Sequence, residues 1–202
     1  GKAVFQVQFY GTEGHSALAP NYTNAIHAAS AFVQSLIDSQ QVVAKEKHLD
    51  TGYDIPYSTI HVGKINGGTA LNVVPNLCQL DYEIRNVAED SIAAIQTQIL
   101  KDFAAKDAIY RYELQDINQY PGLMTNQAQP ELKSIQALLP QSNITKLSFG
   151  TEAGLFQQCF DSPILVCGPG SIEVAHKPNE YIAISQLNAC SHFLDKLVAT
   201  LL

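Results

Sequence analysis

Leu77-Cys78-Gln79-Leu80-Asp81-Tyr82-Glu83-Ile84-Arg85 alternates residue by residue. Cys78, Leu80, Tyr82 and Ile84 share one side; Gln79, Asp81, Glu83 and Arg85 share the other. Successive side chains of a strand point to opposite faces, so this stretch predicts a strand half buried on a core. Upstream the same period of two governs residues 3–10, where Ala3, Phe5, Val7 and Phe9 oppose Gln6, Gln8 and Tyr10. It recurs in residues 58–65, with Ile60 and Val62 on one face, and again where Tyr110, Tyr112 and Leu114 alternate with Arg111, Glu113 and Gln115. Two helical patterns separate these strands. One is capped by Asn21, Thr23 or Asn24 and carries the stripe Ile26, Ala29, Val33, Leu36 and Ile37; the other starts near Asp90 and carries Ile92, Ile95, Ile99 and Phe103. The order is βαββαβ, the ferredoxin-like split βαβ pattern, with an antiparallel sheet and both helices on one face. The other face, or an edge strand, is left for a partner.

After Tyr120-Pro121-Gly122 the pattern changes. A helix is predicted over 129–139, a short strand near Lys146, a helix over 152–158, a buried strand over 164–167, and a last helix capped by Ser185 that carries Leu187, Cys190, Leu194, Leu197, Val198 and Leu201. This is α/β alternation with too few strands to close a sheet. The expected division is therefore 1–119, a ferredoxin-like domain, and 120–202, the C-terminal piece of a larger α/β domain. The chain starts Gly1-Lys2, without methionine and directly in a strand, as a part of a longer polypeptide would.

A net charge of −7 with no run of Lys or Arg argues against nucleic acid and anionic membranes as partners. No apolar run approaches the ~20 residues of a membrane span, and no signal-peptide pattern opens the chain. Cys78, Cys159, Cys167 and Cys190 are far apart and form no CxxC pair. Each sits in an apolar pattern, so they read as reduced core residues of a cytoplasmic protein.

Four segments carry chemistry. In Gly168-Pro169-Gly170-Ser171-Ile172-Glu173-Val174-Ala175-His176-Lys177-Pro178-Asn179-Glu180-Tyr181, a histidine follows an apolar run on a Gly/Pro-shaped loop. Loops after buried strands are where open α/β sheets place ligand chemistry. Imidazole nitrogen suits zinc, although a lone histidine satisfied by its neighbours is the plainer alternative. Glu180 reads either as a carboxylate orienting that histidine or as a surface residue. Gly14-His15-Ser16-Ala17 puts a histidine on a loop, where it also reads as a helix cap. Gly67-Gly68-Thr69-Ala70-Leu71-Asn72-Val73-Val74-Pro75 leads to Glu83-Ile84-Arg85. Arg85 lies on its strand's polar face, suited to a bidentate carboxylate contact or to a cross-strand ion pair, and Asn72 also reads as a turn residue. Gly150-Thr151 opens a helix and offers an anion site. No Gly-x-Ser-x-Gly elbow and no phosphate-binding loop occurs.

Taken in order, these four segments resemble the zinc amidohydrolases that include acetylornithine deacetylase, succinyl-diaminopimelate desuccinylase, aminoacylase and carboxypeptidase G. The resemblance runs from the first strand to the last helix. It implies a lid (dimerisation) domain followed by the C-terminal part of a zinc-peptidase-like catalytic domain. It implies His176 as one ligand of a two-zinc site, with cobalt a possible substitute. It implies that His15 hydrogen-bonds the scissile carbonyl oxygen in the active site of the other subunit of a homodimer. It implies Asn72, Arg85, Gly150, Thr151 and Ser171 as substrate contacts, with Arg85 on the carboxylate. The substrate class is an N-acyl amino acid, N2-acetylornithine first, as a step of arginine biosynthesis; a desuccinylase, aminoacylase or dipeptidase activity is the alternative. The family's other metal ligands and its glutamate base precede the lid and are absent here. The chain alone is thus expected to hydrolyse nothing, and a non-catalytic dimerisation module is the remaining reading.

Overall fold

The computed structural model describes residues 1–45, 48–106, 110–139, 143–175 and 177–201. Its elements are β1 (Lys2–Tyr10), β2 (Gly14–His15), α1 (Ala25–Val43), β3 (Thr59–Gly67), β4 (Val73–Val74), β5 (Leu77–Arg85), α2 (Ile92–Lys106), β6 (Arg111–Tyr120), α3 (Pro130–Leu138), α4 (Ala153–Cys159) and α5 (Ile184–Leu201). The chain divides into two compact units. One comprises Gly1–Leu123 with Leu147–Leu155, the other Met124–Lys146 with Phe156–Leu202.

In the first unit, β1, β3, β5 and β6 form one antiparallel sheet of order β3-β5-β1-β6. This is the ferredoxin-like arrangement that the alternation predicts. The register sets Phe5 opposite Tyr82, Val7 opposite Leu80 and Phe9 opposite Cys78. Ala3, Phe5, Val7 and Phe9 of β1 and Cys78, Leu80, Tyr82 and Ile84 of β5 therefore land on the face that α1 and α2 cover. Phe9, Phe32, Phe103, Tyr82 and Tyr112 meet edge-on or tilted, with centroids 5.1–6.1 Å apart. Burying each such ring contributes roughly 1.5–3 kcal/mol. The outer strands are β3, bulged at Val62/Lys64, and β6.

Helix α1 buries a stripe that overlaps the predicted one: Ala29 and Leu36 are buried, and Ile26 and Val33 pack partly buried against the core. Asn24 caps it, its Oδ1 accepting from the amides of Ile26 and His27. The buried residues are Ala25, Ala28, Ala29, Phe32, Ser35, Leu36, Ser39 and Val43, whereas Ile37 is 46% exposed. Small side chains let the helix axis approach the sheet closely, and the buried face is centred on them rather than on Ile37. Behind α1 a polar buckle closes the structure. The Ser58 hydroxyl is fully buried and donates to Asp90 Oδ2 at 2.5 Å, while the Val87 amide donates to Ser58 Oγ at 3.0 Å. His48 Nδ1 lies 3.1 Å from Asp90 Oδ1.

In the second unit α3 packs on α5, burying Leu132 and Phe193. Helix α5 begins at Ile184, so Ser185 lies inside it and the Ala183 carbonyl accepts the first helical amides. Leu187, Leu194 and Val198 are exposed. Residues 164–167 and Lys146 form no strand, and the 164–167 run is only partly covered. A strand needs a neighbouring strand to pair with as well as apolar side chains, and among the described residues none pairs with these; the Thr125 hydroxyl donates instead to the Ile164 carbonyl. Of the cysteines, Cys78 is buried, Cys190 half-buried, and Cys159 and Cys167 exposed; all are free. Only Cys78 is the expected core residue. No described helix is long and apolar enough to cross a membrane.

Candidate functional site

The candidate side chains of the first unit gather at two ends of the sheet. At the end where β1 and β5 finish with Tyr10 opposite Leu77, the chain turns out into a closed loop. Its base is tied by the Gly11 amide to the Asn76 carbonyl (2.8 Å), the Thr12 amide to the Thr23 carbonyl (2.8 Å) and the Thr23 amide to Thr12 Oγ1 (2.8 Å). Within it β2 pairs with β4, setting Gly14 opposite Val74 and His15 opposite Val73. The Ser16 amide donates to the Asn72 carbonyl at 3.0 Å. His15 and Asn72, 57 positions apart in the chain, thus become neighbours.

The ring of His15 is oriented. Its Nδ1 accepts from the Ala17 amide at 3.1 Å, capping the short 3-10 helix Ser16–Asn21. With Nδ1 accepting, the neutral ring carries its proton on Nε2 and presents that atom as a donor. The cap role read from the sequence is thus filled by this side chain. The Tyr22 ring lies flat against Gly14, where a Cβ would sit 2.3 Å from it. This close approach explains the glycine before the histidine. Gly68, at φ +82, turns the second loop. An open cleft of about 390 Å³ lies here, lined among others by Ser16, Asn24, Gly67, Gly68, Leu71 and Val73. Leu71 is fully exposed at its rim.

Arg85 lies at the far end of β5, opposite Lys2. Its Nε donates to Glu83 Oε1 at 2.7 Å and its Nη1 to the Ser148 carbonyl at 3.2 Å. Lys2 Nζ lies 2.8 Å from Glu83 Oε2. Burial pushes the Glu83 carboxyl up, but the hydrogen bonds and charges of Arg85 and Lys2 outweigh it and hold the carboxyl below its ordinary value. Ser148 brings the Gly150-Thr151 turn to the same end. Gly150 sits against the Tyr120 hydroxyl, which a Cβ would meet at 1.8 Å. Thr151 Oγ1 accepts from the Ala153 amide at 3.0 Å and so opens α4. The structure therefore joins Arg85 with Gly150 and Thr151, and His15 with Asn72, but not one pair with the other. A nine-residue strand at about 3.3 Å per residue separates them by roughly 26 Å.

Ser171 belongs to the second unit. Its Oγ accepts from the Glu173 amide at 3.2 Å, in a loop where the Gly170 amide donates to Gln186 Oε1 at 3.0 Å. His176 lies outside the described residues. Among the described residues no three His, Cys, Asp or Glu side chains gather as a metal site, so they do not by themselves fit a zinc pair. Lys2 and Tyr120 are the neighbours that motif reading missed. The strand register sets Lys2 opposite both Arg85 and Tyr120, the Tyr120 hydroxyl then meets Gly150, and no local pattern carries either signal.

The model of a peptidase dimerisation domain, M20_dimer, matches residues 1–111. Acetylornithine deacetylase of Myxococcus xanthus is 30% identical over 202 residues, which is 98% of this chain and 52% of that protein. Acetylornithine deacetylase of Aliivibrio salmonicida (strain LFI1238) is also 30% identical, with the same coverage. The chain thus spans about half the length of the curated relatives it matches. Among solved structures, aminopeptidase PepT from Bacillus cereus ATCC 10987 superposes with a TM-score of 0.70 at 19% identity, covering 96% of this chain and 50% of that one. An amidase of the hydantoinase/carbamoylase family from Burkholderia vietnamiensis gives 0.66 at 17%, covering 96% and 46%. At those identities the likeness is one of fold.

Proposed function

Because the chain belongs to the M20 peptidase dimerisation-domain family, we propose that it is the lid and C-terminal portion of a metal-dependent amidohydrolase that removes the acetyl group from N2-acetylornithine. The observation that carries this reading is the separation of two complementary half-sites on one lid. The His15 end offers a neutral N–H donor beside an exposed asparagine. The Arg85 end offers a cation beside a helix-opening Gly-Thr turn. A molecule of two-residue length spans about 7 Å, so one lid cannot apply both ends to it. Two copies can, each lending His15 and Asn72 to the site that holds the other's Arg85. A homodimer is therefore part of the proposal.

In this reading Arg85, Gly150 and Thr151 bind the α-carboxylate. Asn72 contacts the acyl side. His15 Nε2–H donates to the amide oxygen as it gains negative charge, an interaction often worth about 3 kcal/mol in the transition state. Ser171 and His176 enter through their motif alone. His176 is proposed as one zinc ligand, with cobalt a possible substitute; the remaining ligands and the base lie outside this chain. Products are ornithine and acetate, which places the reaction in arginine biosynthesis and the protein in the cytoplasm.

The relatives that match over nearly the whole chain are acetylornithine deacetylases, and this puts N2-acetylornithine ahead of succinylated or other acylated amino acids and of dipeptides. The test is a substrate panel, with zinc, on a polypeptide carrying this chain together with a metal-binding half, and on the 202-residue chain alone. Preferred release of acetate from N2-acetylornithine by the first, and none by the second, is expected. Preference for a dipeptide or a succinylated substrate would replace the substrate assignment, and turnover by the chain alone would overturn the division of labour.

A further inference from the structure

An arginine can receive a ligand carboxylate only if its neighbours leave one edge of the guanidinium in place and available. At Arg85 two contacts fix the plane of that group. Nε donates to Glu83 Oε1 at 2.7 Å, from the same face of the same strand, and Nη1 donates to the Ser148 carbonyl at 3.2 Å. Nη2 has no partner among the described residues, so the Nη1/Nη2 end is the edge left to a ligand. The arrangement has an evident drawback. A glutamate bonded to an arginine makes a neutral pair and cancels the arginine's net attraction for an incoming anion. Lys2 removes that drawback. It stands directly opposite Arg85 across β1 and β5, and its Nζ lies 2.8 Å from the second oxygen of Glu83. Two cations and one anion leave the cluster with a net positive charge. All three side chains are partly withdrawn from water, Lys2 and Glu83 at 23% and 22% exposure, where charges are less screened than at an open surface.

We propose that Glu83 and Lys2 are positioning residues for a carboxylate-binding Arg85. Glu83 grips Nε so that the Nη1/Nη2 end faces the ligand, and Lys2 offsets the charge that this grip introduces. The ligand is the α-carboxylate of an N-acyl amino acid, so the inference rests on the Arg85 assignment made above and adds two residues to it.

The experiment measures KM and kcat of the polypeptide carrying both halves for an N-acyl amino acid and for its α-carboxamide. Arg85→Ala is the control for the underlying assignment: it is expected to raise KM for the carboxylate about a hundredfold, removing the preference over the carboxamide. If that preference survives, the Arg85 assignment fails before Lys2 and Glu83 are considered. Given that control, Lys2→Met is expected to raise KM for the carboxylate about tenfold, with kcat and the carboxamide unchanged. The double variant Lys2→Met/Glu83→Gln restores the single net positive charge and keeps an acceptor for Nε, so its KM should return to within about threefold of the starting value. A lysine needed only for stability would give no such rescue. Lys2→Met without effect, or equal losses on both substrates, overturns the proposal. Independently of activity, the Arg85 Nε–H resonance of the 202-residue chain is expected to be protected from solvent exchange, and to lose that protection in Glu83→Ala. An unprotected signal at the start also overturns it.

Discussion

His15 illustrates how much one hydrogen bond decides at the residue scale. Because Nδ1 is spent on the Ala17 amide, the ring needs no further partner to choose its tautomer, and Nε2–H points a donor outward. In the polypeptide carrying the metal-binding half, His15→Ala is expected to lower kcat by about 10²–10³ with little change in KM, as for loss of an oxyanion donor. Steady-state kinetics on the wild type and this variant checks this, and an equal loss spread over KM would assign His15 to ground-state binding. Glu83 gives a prediction in pH. Its carboxyl is held below the ordinary value in the fold, so the native state binds the proton more weakly than the unfolded chain. Its contribution to stability is complete above about pH 4.3, the unfolded value, and is lost as pH falls through the lower folded one. Urea midpoints of the wild type and Glu83→Gln should differ near neutrality and converge in acid. Parallel curves down to the acid limit would deny the linkage.

Among the elements, the strands of the first unit were legible and the face of one helix only in part, for a physical reason. A period of two is unambiguous when Cys78, Leu80, Tyr82 and Ile84 alternate with polar residues, and the observed β5 begins and ends where the alternation does. Helix α1 offers several overlapping stripes. Ala29 and Leu36 of the expected stripe are buried and Ile26 and Val33 pack against the core, but Ile37 is exposed and the small residues Ala25 and Ala28 are buried instead. A test follows from the close approach. Ala28→Leu is expected to destabilise by about 1–3 kcal/mol through overpacking, and Ile37→Lys to stay within about 0.5 kcal/mol. Denaturation midpoints of both variants decide which face is inside. The Ser58 buckle was illegible because its partners lie far along the chain. Ser58→Ala leaves the Val87 amide and Asp90 short of a partner in a buried place, and should cost about 1–3 kcal/mol by the same measurement. The failed strand at 164–167 has the opposite cause: its apolar character was legible, but pairing depends on a neighbour that no local pattern reveals.

For the molecule as a whole, motif reading found His15, Asn72, Arg85, Gly150 and Thr151 one by one but could not group them, because grouping depends on register. Only the pairing of Lys2 with Arg85 and of Tyr10 with Leu77 shows that the five residues occupy opposite ends of one sheet. That geometry makes the proposed dimer testable by mixing two inactive variants. Suppose one subunit carries His15→Ala and the other Arg85→Ala. If each active site takes His15 from one subunit and Arg85 from the other, a mixed dimer has one site with both defects and one with neither. Random assembly of equal amounts makes half the dimers mixed, each with one of its two sites intact, so about a quarter of the wild-type activity should return. Were both residues to serve a site within one subunit, every site would keep one defect and mixing would restore nothing. Separating and remixing the subunits under conditions that permit exchange, then following acetate release against time, distinguishes the two outcomes without any assumption about which metal is bound.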